Sequence, residues 1–360
     1  MNSAPRQQSP LLRRARLRAR TESAIRQFLA HRDVLEIACP CIVPSPGMEA
    51  HLRAFPVRSA TGAYHDHRFL HTSPEYAIKT TLGTLDHDVF TLARVFRDEP
   101  RGRLHHPEFT MLEWYRRHRD HIALMTETEE LLRHVTRSVL HENDPQPLPD
   151  TPIPRIPVRD AFLQHAGVDP LECSTHDLHD ACRTLGIDAR PDWDWHAHFS
   201  LLHALCIEPA LASSAAAFLT DFPASEAALA RTSELDPRVA ERFELYVRLP
   251  AVHGEAPVMV ELANAFHELV DPAEQRARMQ QDRAQRTREG LPVYPIPERM
   301  LQELEAMPPT AGIALGVERL LVWLAAHAGD AACRVADFLV GNEEAPGTSA
   351  DDPDPPKPVT

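Results

Sequence analysis

Two runs with period-two alternation, Val89–Arg97 and Phe109–Tyr115, are joined by a connection too polar for a simple hairpin turn. Strand side chains alternate between faces, so Phe109, Met111, Glu113 and Tyr115 share one face of the second strand. Thr110, Leu112 and Trp114 share the other. One face therefore carries an aromatic ring, a carboxylate and a phenol, while the other suits a core. The loop between them holds Arg97, Asp98, Glu99, Arg101, Arg103, His105, His106 and Glu108. A solvated, charge-rich loop would account for that composition, but not for its order. A strand ending in arginine, an acidic pair, a basic loop and then an aromatic suit a nucleoside triphosphate, with guanidinium on phosphate and ring on base.

Two later stretches carry chemistry of the same kind. In Met259–Val270, Asn264, Phe266 and Glu268 share one parity and Glu261 has the other, so all face one pocket only if a bulge or turn intervenes near Ala263. Carboxylates in so apolar a strand call for cations, because an unpartnered buried acid is costly. The competing reading is an edge strand with exposed acids. Farther on, Gly312–Gly316 leads into Val317–Trp323. A glycine-bounded strand entering a helix lets a nucleotide approach the backbone closely, and Arg319 in the first helical turn can reach a phosphate. Upstream, Phe69–Thr72 reads as a strand running into Ser73-Pro74-Glu75 and a helix over Tyr76–Leu82. Ser73 fits the N-cap, Pro74 the first helical position and Glu75 the positive end of the helix dipole.

Composition narrows the class. At 360 residues the chain holds one large domain or two small ones, and 43% hydrophobic with 25% charged residues is ordinary for a soluble globular protein. A net charge of −14 argues against a surface built for nucleic acid, and suits a basic protein partner or plain solubility. No apolar run is long enough to span a bilayer. The six cysteines form no C-x-x-C pair, which predicts reduced thiols in a cytoplasmic protein and no zinc site.

The first twenty residues contain arginines and no acid, like a mitochondrial presequence. Leu11, Leu12, Ala15, Ile25, Phe28 and Leu29 nevertheless recur at helical spacing, which predicts an exposed basic helix over Pro10–Arg32. Val34–Ile37 reads as a short strand ended by Pro40 and Pro44, and His121–His141 as a helix. Residues 142–157 form a Pro- and acid-rich connector, and 158–212 short helices, with Ser174 capping His176–Leu185 and Asp192–Trp195 in a surface turn. Ala216–Phe222 and Arg238–Val247 read as strands, and Asp271–Glu289 as a polar helix. Residues 1–342 are predicted to form one catalytic domain, with 145–212 a helical insertion and 343–360 an acidic, Pro-rich, disordered tail.

The strand–loop–strand resembles motif 2 of the class II aminoacyl-tRNA synthetases in its lysyl form, F-R-N/D-E … H-N-P-E-F-T-M-x-E. The helix–strand–proline near Val34–Pro44 is similar to motif 1, and Gly312–Trp323 to motif 3. The likeness runs from about Leu11 to Leu339, and as a whole the chain resembles the synthetase-like ligases that attach lysine to elongation factor P instead of tRNA. This implies an α+β class II catalytic fold, an antiparallel sheet flanked by helices, with ATP and Mg²⁺. In that family's arrangement Arg97 holds the α-phosphate and Arg319 the γ-phosphate. Asp98, Glu99, His106, Leu262 and Gly316 lie along the ATP, Phe109 stacks on the base, and Glu244 and Glu261 carry Mg²⁺. Ser73, Pro74, Glu75, Glu113, Tyr115, Asn264, Phe266, Glu268 and Ala314 line the pocket for lysine or (R)-β-lysine. The product is an aminoacyl adenylate, which a lysine ε-amine of elongation factor P attacks. Motif 1 implies a homodimer.

The chain departs from the pattern at several places. His106 stands for asparagine, Ala265 for glycine, Asp98 and Glu318 are conservative changes, and Arg248–Val258 is about ten residues longer than in the family. Alanine at position 314, where lysyl-tRNA synthetases have glycine, suggests β-lysine. Two readings compete with the ligase: a truncated lysyl-tRNA synthetase paralogue acting on tRNA, and a non-catalytic regulatory relative. The first lacks room for an anticodon-binding barrel, and the second commonly loses the motif 2 or motif 3 arginine, both present here.

Overall fold

The computed structural model describes residues 9–49, 52–62, 67–252 and 256–341. The tail at 343–360, residues 253–255 of the lengthened connection and the first eight residues of the Arg-rich start lie outside the described residues. In chain order come α1 (Pro10–Ala30), β1 (Leu35–Glu36), β2 (Ile42–Val43), β3 (Pro56–Val57), β4 (Arg68–Leu70) and α2 (Glu75–Leu85). Next are β5 (Val89–Phe96), β6 (Glu108–Arg117), α3 (His121–Val139), β7 (Arg155–Pro157), α4 (Val158–His165), α5 (Thr175–Thr184), α6 (Trp195–Leu202) and α7 (Glu208–Leu211). The chain ends with β8 (Ala216–Pro223), β9 (Val239–Leu249), β10 (Val258–His267), α8 (Pro272–Arg288), α9 (Glu298–Glu303), β11 (Thr310–Gly316) and α10 (Val317–His327).

Eight strands form one sheet in the order β1-β5-β6-β11-β10-β9-β8-β7, and β2-β4-β3 form a small second one. The interior of the large sheet is antiparallel, as expected, while β1–β5 and β7–β8 at its two ends pair in parallel. β10 lies in the middle, between β11 and β9, which removes the edge-strand reading of its acids.

One face of the sheet is closed by α1, α3 and α10 over a core containing Leu112, Trp114, Phe243, Leu245, Ile313 and Leu315. α10 is buried nearly all round, Arg319 and His327 alone in it being half-buried. α1 is less exposed than expected: Thr21, Ala24, Ile25, Phe28 and Leu29 are buried, and Arg14 pairs with Asp330 and Asp337. Arg18 pairs with buried Glu318, whose carboxylate also accepts from Thr110 N (2.7 Å) and Thr110 Oγ1 (3.0 Å). The helices at both ends of motif 3 and motif 1 are thus locked to β6.

The opposite face is covered at its two ends. The inserted helices α4–α6 and the end of α7 pack with Ala217, Leu219 and Tyr246. Trp195, expected in a surface turn, instead starts α6 and stacks on Phe199 at 5.0 Å, because Asp194 caps the helix and turns the ring inward. At the other end α2 and α9 pack over Val89 and Tyr115. Between these two cores, β6 and β10 present polar side chains, and β11 the small residues Gly312 and Ala314.

Candidate active site

Strand register lays the site out in rows. Thr91, Glu113, Ala314, Asn264 and Glu244 stand side by side on β5, β6, β11, β10 and β9. The row two residues away is Val89, Tyr115, Gly312, Phe266 and Arg242. The register of β10 against β9 shifts between Glu261 and Ala263, the bulge required to turn Glu261 toward the face of Asn264 and Phe266. Leu262 is the extra residue. Its side chain lies in the core on the far face, so of the expected ATP contacts it has only backbone to offer.

Toward α2 the site is a buried acidic pocket. Glu113, 1% exposed, accepts from Ser73 Oγ (2.6 Å) and Tyr115 Oη (3.0 Å). Ser73 does two jobs, because its Oγ also accepts from Glu75 N at 3.0 Å, while Pro74, not Ser73, occupies the N-cap. Glu75 and Glu268 share one cation: Lys79 Nζ lies 2.5 Å from Glu75 Oε1 and 2.6 Å from Glu268 Oε2. Burial, then the neighbouring Glu75, pushes the Glu113 carboxyl up to about 8. Burial also raises Glu268 to about 8, against the pull of Lys79. Burial alone would depress Lys79, but Glu268 and Glu75 carry it above the usual lysine range. Three carboxylates less one ammonium leave two formal negative charges in an enclosed space.

Lys79 and Arg242 escaped the sequence reading, and Gly312 was read there only as the bound of a strand that a nucleotide approaches. Lys79 was legible only as a helical lysine four residues after Glu75, a spacing that puts both on one helix face. A Cβ on Gly312 would overlap Glu268 Oε1 and the Tyr115 ring, so this glycine is the floor on which both side chains sit. Arg242 reaches Glu244 Oε1 (2.5 Å), Asn264 Oδ1 (3.2 Å) and Glu226 O (2.7 Å), and stacks on Phe222.

The other half of the site is more open. The Arg97 guanidinium lies 5.3 Å from the Phe109 ring centre, and its Nε has no hydrogen-bond partner among the described residues. His106 folds onto its own loop, Nδ1 lying 2.7 Å from Glu108 O, and its Nε2 likewise has no partner there. Asp98 is exposed, its N–H donating to Arg53 O, and Glu99 is half-buried with its N–H on Arg97 O. Across from them Arg319 donates to Glu261 O (2.8 Å), approaches Glu261 Oε2 (3.7 Å) and reaches His105 Nε2 (2.9 Å) and Leu104 O (3.5 Å). Gly316 leaves room on this side: the atoms nearest to a Cβ there would be Arg319 side-chain carbons at 3.7–3.8 Å.

Glu244 and Glu261 come from adjacent strands, and Tyr246, the register partner of Glu261, donates to Glu244 Oε2 at 2.7 Å. With Arg242 on Oε1, Glu244 still has lone pairs to spare. Two oxygen donors of this kind fit a hard divalent cation.

A sheet with these rows, closed on one face and holding an acidic pocket beside two arginines on the other, defines a class II synthetase-type catalytic domain. The family profile described as tRNA synthetases class II (D, K and N) matches residues 6–329, and the chain belongs to that family. Within it, the chain is similar to proteins named elongation factor P–(R)-β-lysine ligase. That of Vibrio cholerae is 40% identical over 303 residues, 83% of this chain and 87% of the relative. That of Vibrio vulnificus is 39% identical over 312 residues, 85% of this chain and 90% of the relative. That of Salmonella typhi is 38% identical over 317 residues, 87% and 90% of the two chains.

Proposed function

We propose that this chain is an ATP-dependent ligase that activates (R)-β-lysine as its adenylate and transfers it to a lysine ε-amine of elongation factor P. The observation that carries the reading is the pocket of Glu75, Glu113 and Glu268, buried with a single ammonium, on the same face as Arg97 and Arg319. Its two surplus charges match a substrate with two ammonium groups, and burying acids together is sustainable only when cations complete them. ATP use goes with the class II family.

In the first half-reaction a carboxylate oxygen of the amino acid attacks the α-phosphorus, forming a P–O bond as the bond to the β-phosphate oxygen breaks and pyrophosphate leaves. Two anions must approach, so cationic donors fixed in advance lower the barrier. Arg97 holds the α-phosphate, stacked where Phe109 receives the base, and Arg319 holds the γ-phosphate. Asp98, Glu99 and His106 line the loop side, and Gly316 admits the triphosphate. Mg²⁺, when bound by Glu244 and Glu261, neutralises phosphate charge. Ser73 and Tyr115 orient Glu113, Lys79 orients Glu75 and Glu268, and Asn264 and Phe266 close the wall.

The chain also works as a homodimer in this reading: β1 is an outermost strand with Leu35 exposed, and Ile42 on β2 is exposed as well. Sedimentation at micromolar concentration tests that. The wider reading is tested by incubating the chain with ATP, each lysine isomer and elongation factor P. Pyrophosphate exchange and a mass increase of one β-lysyl group on elongation factor P are expected. Exchange without protein modification, or charging of tRNA, would refute the ligase reading.

A further inference from the structure

The pocket's charges are already matched by one substrate, yet a fourth carboxylate lies at its edge. Glu49 belongs to the segment between β2 and β3. Thr72 N and Oγ1 both donate to Pro46 O, at 3.1 and 2.8 Å, tying the segment to the residue before Ser73. Asp98 N donates to Arg53 O at 2.8 Å, tying it to the residue after Arg97. Pro46 is therefore anchored beside Ser73 and Arg53 beside Arg97. Arg286, fully buried, clamps the segment from behind by donating to Glu49 O (2.7 Å) and Leu52 O (2.9 Å). Glu49 Oε2 is buried and has no hydrogen-bond partner among the described residues. It packs over Gly47, where φ is +151° and a Cβ would crowd both Thr72 Oγ1 and this oxygen.

A buried carboxylate oxygen without a donor is costly, and a ligand that supplies a donor relieves the cost. The amino acid does not require it, since Glu75, Glu113 and Glu268 less Lys79 already balance two ammonium groups. A second amine enters the site in the transfer step. A lysine side chain arrives as an ammonium, and it must lose a proton before its nitrogen can attack.

We infer that Glu49 is the receiving site for the acceptor's primary amine, pairing with the incoming lysine ammonium and taking its proton. This rests on the ligase reading given above. The acceptor nitrogen then forms a bond to the adenylate carbonyl carbon, and the bond from that carbon to the phosphate oxygen breaks. AMP leaves with the electron pair, and the second N–H proton goes to solvent. The groups facing Glu49 suit the role: burial and then Glu75 raise its carboxyl above the usual range, with Arg97 and Arg286 opposing, and the Tyr76 phenol and Asp282 adjoin it. A base drawn toward neutral pH is the more effective one.

The test separates the two half-reactions in the full chain. With wild type, pyrophosphate exchange and transfer to elongation factor P establish the ligase reading itself; if either is missing, that reading fails before Glu49 is at issue. In Glu49→Gln, transfer to elongation factor P is expected to fall on the order of 10²-fold more than pyrophosphate exchange. The residual transfer should rise steadily with pH, as free amine becomes available. Hydroxylamine, neutral at working pH, should trap the adenylate in Glu49→Gln at a rate lowered no more than exchange is. Glu49→Asp should recover part of the transfer. Equal loss of exchange and transfer, or equal loss with hydroxylamine and with elongation factor P, would overturn the proposal, as would unimpaired transfer. Circular dichroism and the retained exchange show that the variant is folded.

Discussion

The two ends of the site are built differently. At the amino-acid end, carboxylates are buried and met from within the protein: Glu113 by Ser73 and Tyr115, Glu75 and Glu268 by Lys79. At the nucleotide end Arg319 is 26% exposed, and Arg97 and His106 each keep a ring or guanidinium nitrogen without a described partner. Discrimination between small amino acids needs charges fixed in advance, since a mobile carboxylate accepts any amine. A triphosphate brings its own charge and size, so the cations around it need only be near. Substitutions at the first end should therefore act on amino-acid recognition, and at the second on ATP chemistry.

The sharpest way to break this contrast is Arg319→Ala. Loss of one transition-state donor typically costs about 2.7–4 kcal/mol, on the order of 10²–10³ in rate. Pyrophosphate exchange should drop by at least that, because Arg319 also ties Leu104 and His105 to Glu261. α10 keeps its apolar packing, so the melting temperature should change little. A folded variant with near-normal exchange would sink the assigned role.

Next is Gly312→Ala, which acts on the side of the site proposed for the amino acid. Its methyl displaces Glu268 or Tyr115, because the position is filled by their atoms. The amino-acid KM should rise at least 10-fold with the ATP KM little changed. A parallel rise in both would erase the distinction between the ends.

The same contrast shows why some of the site was legible and some was not. Period-two alternation placed Glu113 and Tyr115 on one face, and the parity break at Glu261 demanded the bulge that occurs at Leu262. Such signals are local. Lys79 and Gly312 act through partners far along the chain, Lys79 on Glu268 and Gly312 on Tyr115, so no window of sequence contains the interaction. The inserted helices were visible as helices, but that they cover β8 and β9 on the site's own face follows only from packing. Leu262 is a case where the resemblance marks a position without saying whether backbone or side chain serves there, and its side chain turns out to lie in the core.

A third prediction uses pH. Carboxyls whose folded pKa is raised favour the protonated form in the fold. Their contribution to stability is complete below the unfolded value, about 4.3, and is lost as pH rises through the folded value. For Glu113 and Glu268 that value is about 8, so the substrate-free protein should lose melting temperature between about pH 5 and 8. A diammonium substrate binds the ionised forms and releases protons, so its affinity should climb over the same interval and level off above it. Calorimetry in buffers of differing ionisation heat measures the proton release. Affinity flat from pH 5.5 to 8 would mean these acids are ionised already and the pocket needs no substrate to balance it.

The smallest effect concerns Ala314. It stands between Glu113 on β6 and Asn264 on β10, in the row that forms the pocket wall. In the proposed reading its methyl removes volume where the α-amino group of ordinary lysine would lie, and an amino group on the β-carbon would avoid it. A methyl-sized difference is worth about 1–3 kcal/mol, so the isomer preference is expected to be substantial and incomplete. Ala314→Gly should raise exchange with α-lysine relative to β-lysine within that range, while dependence on Arg97, Arg319 and Glu268 persists. The neighbouring Gly312 sharpens the reasoning: there a methyl collides with protein atoms, whereas Ala314 already carries its methyl at a half-buried position. Pyrophosphate exchange with both isomers decides it. An unchanged ratio would move isomer choice away from the pocket wall and onto the placement of the carboxylates themselves.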